Sequence, residues 1–261
     1  MLPSDAERDG MPDDVLFARA ARRDVQSLED ELERARALDV GELADAVESI
    51  GFNCTRCGAC CKSEADDPHT ATVFPDEVRR LQAAGASDGD DSDDGDPRDW
   101  RDVARPMPYG LADGDGRPEG ETFEWALGTD SCGDCVFYEE SEDGVGACGV
   151  HADRPLICET YPFSVDLGGT SQPMGEAVDS VALRAHDEAD GTGDDERVVR
   201  AHECEGLGRD IDREDAESLA AALKERAVRE LEEAIGVRDG YDPAARERAD
   251  GDVVVFDSEG P

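Results

Sequence analysis

Four thiols fall within eight residues at Cys54-Thr55-Arg56-Cys57-Gly58-Ala59-Cys60-Cys61, and no other stretch limits the fold of this chain so strongly. A Cys-x-x-Cys step lets two sulfurs converge on one ion when the backbone curls, and Gly58 supplies freedom for that curl. Two such steps overlap at Cys54, Cys57 and Cys60, the spacing that ferredoxin-like chains use around iron–sulfur clusters. Cys60 and Cys61 are adjacent, and neighbours in extended backbone point to opposite sides. They are therefore expected to serve two different centres, unless one of them is not a ligand. Five more cysteines follow at 132, 135, 148, 158 and 204. An odd total fits a complete set of structural disulfides poorly. The expectation is reduced thiols in the cytoplasm, engaged in metal or cluster chemistry.

The charge narrows the partners. The net charge is -41, with 67 acidic against 26 basic residues, and the only lysines are Lys62 and Lys224. Such acidity is one signature of disorder. Here the acid lies on helical and strand-like patterns as well as in loops, which predicts a folded protein with a surface adapted to high salt. No stripe of clustered Lys and Arg is present to bind a nucleic-acid backbone, and the same balance argues against anionic membranes. The apolar runs fall short of a membrane span. Met1–Gly10 has no basic flank and no apolar core, so no secretory signal is expected.

Residues 1–12 read as a flexible acidic lead. Val25, Leu28, Leu32 and Ala35 recur at helical spacing within a helix expected over Asp13–Leu38, where Asp30 and Arg34 form an i, i+4 pair. Asp39 caps a second helix carrying Leu43, Ala46, Val47 and Ile50, and Gly51 ends it. A short helix spans Pro75–Ala84. An acidic insertion loop occupies 86–121, richest in Asp, Gly and Ser over Ala86–Asp102. It fails as a calcium loop: counted from Asp90, Arg101 fills the last ligand position, and counted from Asp88 the sixth residue is Asp93 rather than glycine. Strands are expected over Thr122–Leu127, Cys135–Tyr138 and Phe163–Leu167, with weaker candidates at Val181–Arg184 and Arg197–Ala201. Asp212 caps a long helix, Arg213–Ile235, with Leu219, Leu223, Leu231 and Ile235 on one face and Gly236 as its end. A tail over 238–261 holds a candidate strand at Val253–Phe256. The pattern predicts one α+β domain over 13–237, with its core motif region at 50–208. Helices at both ends would pack around a loop-rich, metal-stabilised cysteine middle with short antiparallel strands.

The later cysteines occupy separate loops. Cys135 precedes Val136-Phe137, and Cys148 lies in the glycine-rich Gly144–Gly149 turn. Cys158 sits in Arg154-Pro155-Leu156-Ile157-Cys158-Glu159-Thr160-Tyr161-Pro162-Phe163, and Cys204 in His202-Glu203-Cys204-Glu205-Gly206-Leu207-Gly208. With the Phe52-to-Cys61 run, this combination resembles the CxxCxxCC cysteine-cluster proteins, also called the YkgJ-type zinc- or iron-chelating domain, over roughly residues 50–208. The resemblance implies metal chelation through Cys54, Cys57, Cys60, Cys61, Cys135, Cys148, Cys158 and Cys204, with zinc or iron as the metal. Cys132 lies outside the pattern, and Glu159 stands where family members usually carry a basic residue. A related cluster occurs in flagellin lysine methylases, but no cofactor-binding signature here carries that activity over.

Eight thiols divide into two four-cysteine sites, which two zinc ions, two iron–sulfur clusters or one of each would satisfy. The overlapping steps tilt the reading towards iron–sulfur, with zinc close behind. Among the histidines, His202 is the best ligand candidate and His151 the next, although a surface or supporting role is the expectation for both. His69 and His186 carry no signal. No P-loop, nucleophile elbow or dinucleotide fingerprint is present. Three readings follow: a cytoplasmic metal-binding protein holding zinc, iron or iron–sulfur; a zinc-stabilised interaction module without chemistry; and a cluster-dependent redox or group-transfer enzyme.

Overall fold

The computed structural model describes residues 27–63, 68–84, 98–114, 117–173, 175–183, 198–245 and 253–260. The acidic lead, the first half of the expected opening helix, His186 and most of the Asp-rich stretch after Ala86 lie outside the described residues.

Helix α1 (Leu28–Arg36) begins at a capping box. The Ser27 hydroxyl accepts from the Asp30 N–H, and the Asp30 carboxylate accepts from the Ser27 N–H, satisfying two donors that a helix start leaves open. Asp30 thus closes the cap, while Arg34 meets Glu31 at 3.1 Å. Asp39 caps α2 (Val40–Ile50), and Gly51 ends it with φ 80°. A Cβ at Gly51 would lie 2.6 Å from the Arg209 carbonyl oxygen, so the residue is needed for close approach as well as for its dihedral.

Two further helices and two strands precede the central region: β1 (Thr72–Val73), α3 (Pro75–Ala84), α4 (Trp100–Val103) and β2 (Ala104–Pro106). Next come β3 (Leu111–Asp113), β4 (Pro118–Thr122) and β5 (Trp125–Leu127). The described part of the expected 86–121 loop therefore contains a helix and three strands. The strand expected over Thr122–Leu127 breaks at residues 123–124 into members of two different sheets. The chain continues through β6 (Tyr138–Glu140), β7 (Gly146–Cys148), α5 (Leu156–Thr160), β8 (Phe163–Asp166), β9 (Ala177–Ala182) and β10 (Val198–His202). It ends with α6 (Arg213–Gly240) and β11 (Val253–Val255). Cys135 itself makes only an isolated bridge to Thr129, and the strand starts at Tyr138.

Among the described residues the strands form sheets ordered β1-β5-β2, β8-β10-β9 and β11-β4-β3, plus the β6-β7 hairpin. All pairings are antiparallel except β11 with β4. The arrangement is α+β. Helices from the two ends of the chain pack on one another and on the β8-β10-β9 sheet, burying Leu43, Val47, Phe163, Val199, Leu223 and Leu231. Their burial from water is the main favourable term holding these layers together. A second core, around Leu81, Val103, Leu127, Phe137 and Ile157, lies under the β1-β5-β2 sheet and includes buried Cys135. Partly buried Cys61, Cys148 and Cys158 pack against this second core.

Helix α6 runs past Gly236, where a stop was expected. The glycine is a contact point: a Cβ there would lie 2.7 Å from the Ser258 Cβ. Val237 continues the helix and packs on a small third core of Ala245, Val254 and Phe256. No helix of the described residues is long and apolar enough to cross a membrane.

Candidate metal centre

Past Gly51 the chain leaves α2 and runs irregularly to Gly58. Both ends of this run are tied to distant segments. At its start, the Asn53 N–H donates to the Gly206 carbonyl at 3.0 Å, and the Gly208 N–H donates to Gly51 at 3.0 Å. Phe52 forms a bridge with Leu207. Gly206 cannot carry a side chain here, since a Cβ would sit 2.6 Å from the Asn53 carbonyl oxygen. Cys54 is thereby seated beside the loop that holds Cys204. Farther along, the Gly146 N–H donates to the Arg56 carbonyl at 2.8 Å, and the Cys135 N–H donates to the Cys61 carbonyl at 2.8 Å. These bonds seat the other end of the run on the hairpin that carries Cys148 and on the segment that carries Cys135.

Gly58 (φ 77°) starts a 3-10 turn over Ala59–Cys61. The turn corrects the expectation that Cys60 and Cys61 face opposite sides. Their sulfurs lie 3.8 Å apart, because successive residues of a tight helical turn are about 120° apart rather than the 180° of a strand. Cys60 is exposed and Cys61 half-buried. Hydrogen bonding to Cys61 is the first cause pushing the Cys60 thiol far above its ordinary range.

The remaining thiols gather into two neighbourhoods. Burial, followed by the charges of Cys135, Cys60 and Cys148, raises the Cys158 thiol. Cys135 is pushed up to about 11, mainly by burial, with Cys148 and Cys60 adding to it. Cys204 is raised by burial first, and the charges that reach it belong to Cys57, Cys60 and Cys54. One group thus holds Cys135, Cys148 and Cys158, and the other Cys54, Cys57 and Cys204. Cys60 is in reach of both, with Cys61 at its side.

Backbone groups oppose the rise. N–H groups are directed at sulfur from Phe137 to Cys135, from Val150 to Cys148 and from Gly206 to Cys204, the last at 3.4 Å. Each donor lies two residues after its cysteine and favours the thiolate. The Arg154 guanidinium acts the same way on Cys60, Cys148 and Cys158.

Cys158 sits on α5, which two buried side chains hold in place. The Glu77 carboxylate, 1% exposed, accepts from the Phe74 N–H at 3.0 Å and from the Leu156 N–H at 2.9 Å. It therefore joins the start of α3 to the start of the cysteine helix. Arg226, 3% exposed on α6, donates to the Thr160 hydroxyl (3.0 Å), the Phe163 carbonyl (3.3 Å), the Ser171 carbonyl (2.7 Å) and the Glu230 carboxylate (2.8 Å). The Tyr161 hydroxyl donates to the Glu203 carbonyl, linking the end of α5 to the Cys204 loop. Glu77, Arg154 and Arg226 are the positions that sequence reasoning missed as parts of this site. Only Arg154 had a signal, as the first residue of its Arg-Pro block.

The histidines change rank. His202 is buried, with Nε2 3.0 Å from the Ser164 hydroxyl and Nδ1 3.1 Å from the Gly175 carbonyl, so both ring nitrogens are already engaged in holding β10. His151 is exposed on the turn before Arg154. His69, which carried no signal in the sequence, is 2% exposed and directs its ring at the Cys60 backbone. Cys132 is exposed, and its backbone holds Ser63 and Asp130.

The soft thiol donors suit zinc, iron or an iron–sulfur cluster, and thiolate-favouring groups lie beside Cys60, Cys135, Cys148, Cys158 and Cys204. Among the described residues, however, no three His, Cys, Asp or Glu side chains converge closely enough to hold one ion. The donor chemistry fits a metal, while the sulfurs share neighbourhoods without forming a closed shell. The family model CxxCxxCC, described as a putative zinc- or iron-chelating domain, matches residues 53–205, a span that contains every thiol discussed above. No curated protein and no solved structure matches the chain.

Proposed function

Because the chain belongs to the CxxCxxCC family of zinc- or iron-chelating domains, we propose that its eight pattern cysteines are the ligands of two thiolate centres. Cys135, Cys148 and Cys158 make one set, Cys54, Cys57 and Cys204 the other, and the adjacent Cys60 and Cys61 complete them. The observation that carries this reading is the pair of backbone ties that seat the Cys54–Cys61 run between the Cys204 loop and Cys135. Four-thiolate sites accept both zinc and iron. The overlapping Cys-x-x-Cys steps favour iron held as a cluster, which would be redox active. Such thiols belong in a reducing compartment, so the cytoplasm is the proposed location.

A zinc-stabilised module is the second reading. It is supported by Cys61, Cys148 and Cys158 packing on the second core, where a metal would staple a small apolar cluster. Elemental analysis of protein purified without oxygen and without a metal-affinity column separates the two. Iron with a brown colour supports the first, and stoichiometric zinc in a colourless protein supports the second. A folded protein carrying neither metal would end both readings.

A further inference from the structure

Arginine in this molecule is mostly committed. The guanidiniums of Arg36, Arg79, Arg213, Arg226, Arg229 and Arg238 each meet a carboxylate. Arg56 and Arg154 are among the described arginines that enter no such pair, as are Arg98, Arg105, Arg117 and Arg209, but Arg105 donates instead to the His69 carbonyl and the Thr70 hydroxyl. The Arg154 Nε is moreover buried without a hydrogen-bond partner. A buried guanidinium donor left unpaired is costly, so this group calls for an acceptor.

The segments that carry the two arginines are joined through β7. The Arg56 carbonyl takes the Gly146 N–H at 2.8 Å at the start of β7. That strand ends at Cys148, the 3-10 turn His151–Asp153 follows, and Arg154 comes next. Arg80 donates to the Arg154 carbonyl at 3.1 Å and pins its backbone. The charges of Arg154 and Arg56 both bear on His151, and that of Arg154 reaches Cys60, Cys148 and Cys158. Arg56 and His151 are exposed and Arg154 is half-buried, which makes an open rim with one sunken donor. Neither Asp153, next to Arg154 in the chain, nor Glu139, whose charge reaches Cys148, forms an ion pair with either guanidinium. A guanidinium presents a planar fork of donors that matches a carboxylate or phosphate group.

We propose that Arg56, Arg154 and His151 form a receptor for a small oxyanion, a phosphate or carboxylate group, that docks against the face of the cysteine centre. The proposal rests on the metal-binding reading only for what lies beneath the anion; the receptor is built from other side chains. A net charge of -41 repels anions in general, so saturable binding would have to come from a local site.

The test uses the full chain as isolated, titrated separately with inorganic phosphate and with acetate at constant ionic strength. The readout is the ring resonance of His151, with metal content measured on the same samples. A saturable shift is expected in at least one arm, and the responding arm identifies the anion. Arg154→Gln and Arg56→Gln should each weaken binding by about tenfold or more, as expected for loss of one charge-assisted contact. Arg154→Lys, which keeps the charge and loses the fork, should weaken it less. Arg101→Gln, at an exposed arginine paired with Asp99, should leave it unchanged. A shift that never saturates, or one equal in all variants, overturns the receptor. Saturable, Arg154-dependent binding in protein found to hold no metal would support the receptor while removing the metal reading.

Discussion

Arg226 shows how one residue holds the site from a distance. Its guanidinium and the Glu230 carboxylate form an ion pair with side-chain exposures of 3% and 8%, and its other donors fasten Thr160, Phe163 and Ser171. Removing one partner of a buried pair strands the other charge. Arg226→Ala should therefore cost about 3–5 kcal/mol in urea unfolding, and adding Glu230→Leu should recover much of the loss. Glu77 acts at the opposite end of α5. Burial raises its carboxyl above the ordinary 4.5, and the N–H groups of Leu156 and Phe74 only partly offset this. Between the unfolded and the raised folded value the native state binds the extra proton, so Glu77 makes stability fall as pH rises through that window and level off above it. Glu77→Gln cannot ionise. The wild-type-minus-variant difference in urea midpoint should decline from about pH 4.5 upward; a flat difference would show that Glu77 is ionised throughout. Neither residue is legible in the sequence, where both read as ordinary polar positions on helices. Their burial comes only from the elements packed over them.

At the scale of elements, the decisive feature is the turn that begins at Gly58. A Cβ there would lie 2.3 Å from the Tyr138 hydroxyl oxygen and 2.6 Å from its Cζ, on backbone at φ 77°. Gly144 has the same φ of 77° with nothing within 4 Å, so it serves as an internal control for dihedral strain alone. Gly58→Ala should destabilise more than Gly144→Ala by about 1–3 kcal/mol in thermal melts, and it should lower metal content. Equal losses would mean that the Tyr138 ring gives way freely. The caps at Asp39 and Asp212 and the α2 stop at Gly51 were legible because each rests on local hydrogen bonds that spacing alone encodes. The side-by-side placement of Cys60 and Cys61 was not. Two adjacent residues carry no periodicity, and the 3-10 geometry follows from Gly58 packing under Tyr138, 80 residues on.

For the molecule as a whole, the net charge of -41 is expected to set the response to salt. The exposed pairs, such as Arg213 with Asp45, Glu48 and Glu217, contribute little individually, so self-repulsion from the net charge of -41 should dominate. Raising salt from about 0.1 to 1 M shortens the screening length from about 10 to 3 Å. The melting temperature should rise across that range, and a fall would contradict a surface adapted to high salt. Local features were readable along the chain: the helix boundaries set by caps, the amphipathic faces of α2 and α6, and the dense thiol run with its soft-metal chemistry. Each follows from neighbours within a few residues, through hydrogen bonds and periodicity. Packing in three dimensions set which distant thiols share a neighbourhood, engaged both ring nitrogens of His202 while burying His69, and made Gly236 a contact rather than a stop. Those outcomes depend on contacts between segments up to 157 residues apart, and proximity of that kind is produced by packing rather than spelled out along the chain.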